Sequence, residues 1–358
     1  MSKLLKIFIS IIIFIIVSIT LVILAYNNGI SAVSKDSLTV EFEVTENSTY
    51  LTLSNSLKEK ELIKSELFYK VYIKLNSPKE LQKGKYTLNK NMSVKEIIDV
   101  LSKGSSYNPD AITLTFKEGI NMRGIVKVIE ENTNNTSGDV YSLLSNKEYL
   151  DKIINKYWFL TDAIKNDQIY YSLEGYLYPD TYEYLNKDVT VEEIFEKMLN
   201  KMDSILSNYK NDLENNNYSI HQILTLSSIV ELEAAGTDDR AGVAGVFYNR
   251  LNNGWSLGSD VTTYYAVKID MSQRDLYQSE LDAVNAYNTR STSMAGKLPV
   301  SPICIPSLES IKATLYPTKH NYFYFVADKN KKTYFNENYD GHIRIISKLK
   351  EENLWFTY

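Results

Sequence analysis

The chain has 358 residues, 44% of them hydrophobic, and a formal net charge of -5. That length holds about two domains plus an anchor, and an acidic balance with no basic stripe among its aromatics excludes a nucleic-acid-binding protein. Cys304 is the only cysteine, which excludes an internal disulfide, and His221, His320 and His342 lie too far apart in sequence to form a zinc set.

Residues 7–26 form an uncharged apolar run of about twenty residues, the length of a bilayer-spanning helix. Lys3 and Lys6 precede it and a polar segment with few charges follows, so residues 1–6 are expected in the cytoplasm and everything from residue 27 outside. A cleaved signal peptide is the alternative. It is disfavoured because its apolar core is normally shorter and no small-x-small site follows Tyr26 closely. An exported body on a 27–38 linker has no ATP or NAD at hand, and neither a Walker A loop nor a Rossmann fingerprint occurs, so no cofactor is expected.

Residues 39–108 are expected to form a small α+β unit. Residues 38–44 alternate as a strand, helices follow near 51–59 and 64–75, and 84–88 is a second strand. Ser93 and Glu96 form a capping box for a helix that stops at Gly104, and 105–109 is a linker. A larger unit, 109–358, opens on a strand at 112–116, turns at Glu118-Gly119 and enters a helix near Asn121. A polar loop is expected over 132–138, an aromatic-dense segment with a Pro-Asp turn over 173–182, and a helix over 191–207. Thr237 or Asp238 is expected to cap a helix whose Val243, Val246, Phe247 and Leu251 form a core stripe ending at Asn252-Asn253-Gly254. A strand at 321–327 turns over 329–332 into a hairpin partner at 333–335.

The segment 220–234 carries the chemistry. Ser219 caps it, with Gln222 three residues on. Ile220, Ile223, Leu224, Leu226, Ile229, Val230 and Leu232 surround nearly the whole helix at about 100° per residue, which predicts burial. A glutamate there is either paired with an arginine or desolvated into a proton donor. Glu231 and Glu233 compete for that role and lie about 200° apart around the helix. Rotation alone does not choose between them.

The order of these segments resembles the endolytic murein transglycosylase family (YceG-like, MltG). The phrases that carry it are Glu174-Gly175 with Pro179-Asp180-Thr181, Ser228-Ile229-Val230-Glu231, and Val246-Phe247 with Asn249-Arg250-Leu251. Leu257 with Asp260, Tyr287-Asn288-Thr289, Leu298-Pro299 with Pro302-Ile303, and Tyr324-Phe325-Val326-Ala327 complete it. The resemblance implies an α+β protein with one transmembrane helix, a small LysM-like domain and a larger mixed α/β catalytic domain outside the plasma membrane. It implies a lytic transglycosylase that cuts the MurNAc–GlcNAc bond of nascent peptidoglycan and leaves a 1,6-anhydro end. It places the catalytic glutamate at Glu231, and Glu174, Ser228, Asp260, Tyr287, Asn288 and Thr289 as residues that line or support a glycan cleft. Tyrosines over 176–184 are expected to stack on sugar. Penicillin-binding proteins and elongation or division proteins are the implied partners. The rivals are a non-catalytic peptidoglycan-binding scaffold and a muramidase that uses Glu231 and Asp260 with water. Relatives commonly read Gly-Pro-Ile-x-Asn-Pro-Gly where this chain has Ser301-Pro-Ile-Cys-Ile-Pro-Ser307, Asp-Pro where it has Asp260-Val261, and His where it has Thr333.

Overall fold

The structure, a computed structural model, describes residues 3–46, 48–104 and 111–355. The chain divides into two compact units, Met1–Asp110 and Ala111–Tyr358. The expected linker at 105–109 lies outside the described residues.

The first unit runs α1 (Lys3–Ile30), β1 (Thr39–Val44), α2 (Leu53–Glu59), α3 (Glu66–Asn76), β2 (Gly84–Asn89) and α4 (Val94–Lys103). β1 and β2 pair antiparallel, with Thr39 opposite Asn89 and Val44 opposite Gly84. Alternation puts Phe42, Val44, Tyr86 and Leu88 on one face, where they pack with Leu57, Tyr69, Ile97 and Leu101. The Ser93–Glu96 capping box forms as expected. Within α1, the segment Ile12–Ile30 is long and apolar enough to cross a membrane, and almost none of it is buried. A signal sequence would satisfy the same criterion.

The second unit runs β3 (Ile112–Thr115), α5 (Met122–Asn132), α6 (Ser137–Ser145), α7 (Lys147–Lys156), β4 (Thr181–Tyr184), α8 (Val191–Leu206), α9 (Lys210–Glu214) and α10 (Ile220–Glu233). It continues with α11 (Arg240–Asn252), α12 (Asp260–Ala266), α13 (Gln278–Leu281), α14 (Leu308–Leu315), β5 (Tyr324–Ala327), β6 (Thr333–Asn336) and α15 (Tyr339–Glu351). β3 pairs antiparallel with β4, and β5 with β6 as the expected hairpin.

Three local expectations need correction. The polar stretch 132–138 is shorter than expected, because Thr136 and Asp139 form a capping box that opens α6. Thr237 and Asp238 do not cap α11; they lie in a 3-10 turn, Thr237–Asp239, and the helix begins at Arg240. The strand expected from 321 begins at Tyr324. Before it, the carbonyls of His320 and Tyr322 accept from the Asn249 side chain and that of Phe323 accepts from Arg250 Nε, so α11 holds this backbone.

α10 is apolar all round because it joins two cores. Ile223 and Leu224 belong to a cluster built on β3, β4, α5, α7 and α8, with Phe116, Ile125, Phe195 and Met198. Leu226, Ile229 and Val230, half a helix later, belong to a second cluster with Val243, Phe247, Val261 and Ile303. Each fully buried aliphatic side chain contributes roughly 1.5–3 kcal/mol. The Ser219–Gln222 capping box closes the N-terminus.

Candidate active site

Glu231 occupies the last turn of α10, and its side chain is 7% exposed. The burial matches expectation. The isolated dry acid does not occur, because Arg240 Nη2 at the start of α11 stands 3.0 Å from Glu231 Oε1. Oε2 accepts from the Ser307 backbone N–H at 2.9 Å and from its hydroxyl at 2.5 Å. All three partners are donors, the set that suits an ionised carboxylate. The pairing with an arginine, one of the two alternatives open for a buried glutamate, is the one realised.

Ser307 also caps α14, its Oγ accepting from Ser310 N at 3.2 Å. The 301–307 loop is buried throughout. Ser228 Oγ accepts from Ile303 N at 3.0 Å, and Cys304 Sγ approaches Ser228 O at 3.3 Å, so the loop is held to α10 without the glycines. Thr333 donates to Asp239 at 2.6 Å, bracing the turn that presents Arg240.

The Glu118-Gly119 turn closes another side. A Cβ added to Gly119 would lie 3.8 Å from Glu231 Cγ and 3.3 Å from Leu232. Desolvation raises the Glu118 carboxyl, and the charges of Glu231 and Glu309 raise it further against the pull of Arg240. Glu118 and Glu309 are exposed, at the edge of this group. Beside it a cavity of about 330 Å³ is lined by Gly119, Asn121, Arg123, Leu232, Tyr264 and Tyr265 among others.

Glu233 faces elsewhere, as the helical rotation requires. It accepts from Ser259 Oγ at 2.5 Å, and burial pushes its carboxyl up, opposed by that hydrogen bond.

The supporting residues are mostly internal braces: Glu174, Ser228, Tyr287, Asn288 and Thr289 are buried and hydrogen-bonded within the protein. Glu174 is 1% exposed; its carboxylate accepts from Met122 N at 3.0 Å and from the Tyr265 hydroxyl at 2.9 Å. Burial raises it to about 7 despite those bonds. The Ser228 hydroxyl is spent between Thr225 O and Ile303 N. Tyr287 is 1% exposed, bonded to Ser301 Oγ and Tyr170 N. Asn288 ties Thr263 to the carbonyls of Leu281 and Ala283, and Thr289 bonds Thr262 and Ser259. Asp260 is the exception: it is exposed and paired with Arg290 at 2.6 Å. Tyr176, Tyr182 and Tyr184 are buried in the core, so they cannot stack on a ligand.

Arg240, Ser307, Glu118 and Arg123 surround the site and were not singled out from sequence. A cation at the start of the next helix, or a serine in a loop, carries no periodic signal. Only the departure at Ser307 marked that loop beforehand. Among the described residues no group of three or more His, Cys, Asp or Glu side chains is placed to hold a metal ion.

The second unit is an α+β body whose central helix α10 holds Glu231, paired with Arg240, with a cavity beside it. The YceG-like family profile matches residues 42–348. The chain belongs to the YceG-like family. It is 32% identical over 322 residues to the endolytic murein transglycosylase of Bacillus subtilis, covering 89% of this chain and 86% of that one. It is 31% identical to the protein of the same name from Streptococcus pneumoniae serotype 2, again over 89% of this chain but 59% of the relative. A crystal structure of a yceG-like protein from Listeria monocytogenes superposes with a TM-score of 0.61 at 30% identity, covering 87% of this chain and all of that one.

Proposed function

We propose that this protein is an endolytic peptidoglycan lytic transglycosylase with Glu231 as its catalytic acid and base. The names of its relatives supply the reaction class. The observation that carries the residue assignment is the clamp of Arg240 and Ser307 on buried Glu231, whose neighbours Gly119 and Leu232 line a cavity. In this reading Glu231 enters the reaction with a proton on its carboxyl, and its bond to Arg240 is broken first. Glu231 gives that proton to the glycosidic oxygen as the C1–O bond of MurNAc breaks. The carboxylate then takes the proton of the C6 hydroxyl of the same sugar, and O6 bonds to C1 to close the 1,6-anhydro ring. The nucleophile belongs to the substrate, so no second carboxylate is required, unlike hydrolysis with water.

The reading extends to the whole chain. α1 anchors the protein with the N-terminus in the cytoplasm and the body outside, next to strands leaving the synthesis machinery, where cutting releases them. The β-α-α-β order and antiparallel pair of the first unit support a LysM-like domain, and residues 109–358 form the catalytic domain. Penicillin-binding proteins and elongation or division proteins are the partners that role requires.

One observation favours hydrolysis as a second reading. Glu118 is a raised carboxyl within electrostatic reach of Glu231. It is better placed to pair with Glu231 than Asp260, whose partner is Arg290 and whose charge acts on Glu233. The test incubates the full-length protein in detergent with purified glycan strands and reads the new ends by mass spectrometry. Anhydro ends are expected, and Glu231→Gln should lower the rate about 10²–10⁴-fold. Reducing ends lost in Glu118→Gln would establish hydrolysis instead, and an unaffected Glu231→Gln would remove the assigned residue.

A further inference from the structure

The cavity beside Glu231 contains a cation that the proposed chemistry does not use. Arg123 sits in the first turn of α5, with its side chain 21% exposed. Its guanidinium carbon lies 5.8 Å from the centroid of the Tyr265 ring. Its ion-pair partner is Asp270, 3.7 Å away and 63% exposed, beyond hydrogen-bond distance, and its charge also reaches the Tyr171 hydroxyl and the buried Glu174 carboxyl. Nη1 is buried and has no hydrogen-bond partner among the described residues. Most of the wall around it is apolar or aromatic, including Leu232, Val261, Tyr264, Tyr265 and Ile303.

The guanidinium as a whole has Glu174, Tyr171 and Asp270 in electrostatic reach, but its buried Nη1 arm keeps an unused donor. Its fork matches a planar carboxylate, which takes two parallel N–H bonds. The exposed Asp270 is a weak competitor, screened by solvent. The cavity holds about 330 Å³, enough for a carboxylate and the short chain that bears it. Gly119 and Leu232 line the cavity and also lie against or next to Glu231, so a group bound there belongs to the molecule being cut.

We propose that Arg123 is a substrate-binding residue that recognises a carboxylate on the muramic acid side of the glycan, and so makes the site selective for acidic over neutral chitin-like strands. This rests on the peptidoglycan reading above. The carboxylate comes either from the lactyl ether of a stripped strand or from the peptide stem of an intact one.

The test measures binding by calorimetry to full-length Glu231→Gln protein in detergent, with and without Arg123→Gln or Arg123→Lys. Three tetrasaccharide probes are used: N-acetylchitotetraose, a murein tetrasaccharide without peptides, and the same tetrasaccharide bearing alanyl-glutamate stems. At least one murein probe should bind tenfold or more tighter than the chitin probe. Arg123→Gln should erase that difference while leaving the chitin affinity unchanged, and Arg123→Lys should keep part of it. Preference for the stripped probe assigns the lactyl group; preference for the stemmed probe assigns the peptide. Equal binding of all three probes, or an Arg123→Gln protein that still discriminates, overturns the proposal. So does an Arg123→Gln protein that weakens all three probes alike, which marks a structural brace. Cleavage of strands by the wild-type protein is scored separately. Cleavage without discrimination removes only the Arg123 assignment, and discrimination without cleavage removes only the enzymatic reading.

Discussion

Ser307 joins two jobs in one side chain. Its hydroxyl receives Ser310 N at the start of α14 and donates to Glu231 Oε2. Replacing it with alanine removes an N-cap, about 1 kcal/mol, and one charge-assisted hydrogen bond, roughly 1.5–3 kcal/mol. Ser307→Ala should therefore lose about 3 kcal/mol by denaturant titration and about tenfold in glycan cleavage, while the Ser307 N–H still holds the carboxylate. A serine at the start of a helix is legible as a cap from sequence. Its second bond is not, because Glu231 lies 76 residues earlier in the chain.

At the scale of elements, Glu174 fastens the start of α5 to Tyr265 near the end of α12. Burial pushes its carboxyl up from the ordinary 4.5 to about 7. Between these values the folded state binds more protons than the unfolded state, so stability falls as pH rises, by about 3 kcal/mol in all. Urea midpoints should drop from pH 5 to pH 7 in the wild type, and Glu174→Gln should flatten that dependence. Gly175, next to it, has φ +79, and a Cβ there would meet Pro302 at 2.2 Å and the Cys304 carbonyl at 3.2 Å. Gly175→Ala should cost about 2 kcal/mol or more in thermal or chemical unfolding, since neither the backbone nor the proline ring can yield cheaply. The phrase Glu174-Gly175 was visible in the sequence as a marker of kinship. Its physical role, joining α5, α12 and the 301–307 loop, depends on three segments meeting.

For the whole molecule, the apolar Ile12–Ile30 segment sets the expected behaviour. Full-length protein should sediment with membranes and require detergent for release, and deleting residues 1–26 should move it to the soluble fraction. A reporter enzyme fused at the C-terminus and active only outside the cytoplasm should be active in the full-length fusion. An inactive reporter would reverse the proposed orientation. The order of helices and strands was legible in the first unit, and in the second for β3, α5, α8, α10, α11 and the 324–336 hairpin, because amphipathic runs and capping boxes are local patterns with fixed periods; α6, α7, α9, β4 and α12 to α15 were not read. Where the reading failed, as at the start of α11 and at Asn321–Phe323, long-range side-chain bonds from Thr333, Asn249 and Arg250 decided the backbone instead.

From the amino-acid order alone came the apolar anchor segment, the buried character of α10 and the family to which its glutamate belongs. The first two follow from hydrophobic period and local capping, which act over one or two turns of chain; the family follows from the resemblance of its ordered phrases. The ion pair with Arg240, the grip of Ser307, the inward placement of Glu174, Tyr287, Asn288 and Thr289, and the unsatisfied arm of Arg123 were decided only by tertiary structure. A charge or hydroxyl has its chemistry set by what stands within a few ångströms, and those neighbours are supplied by segments tens of residues away.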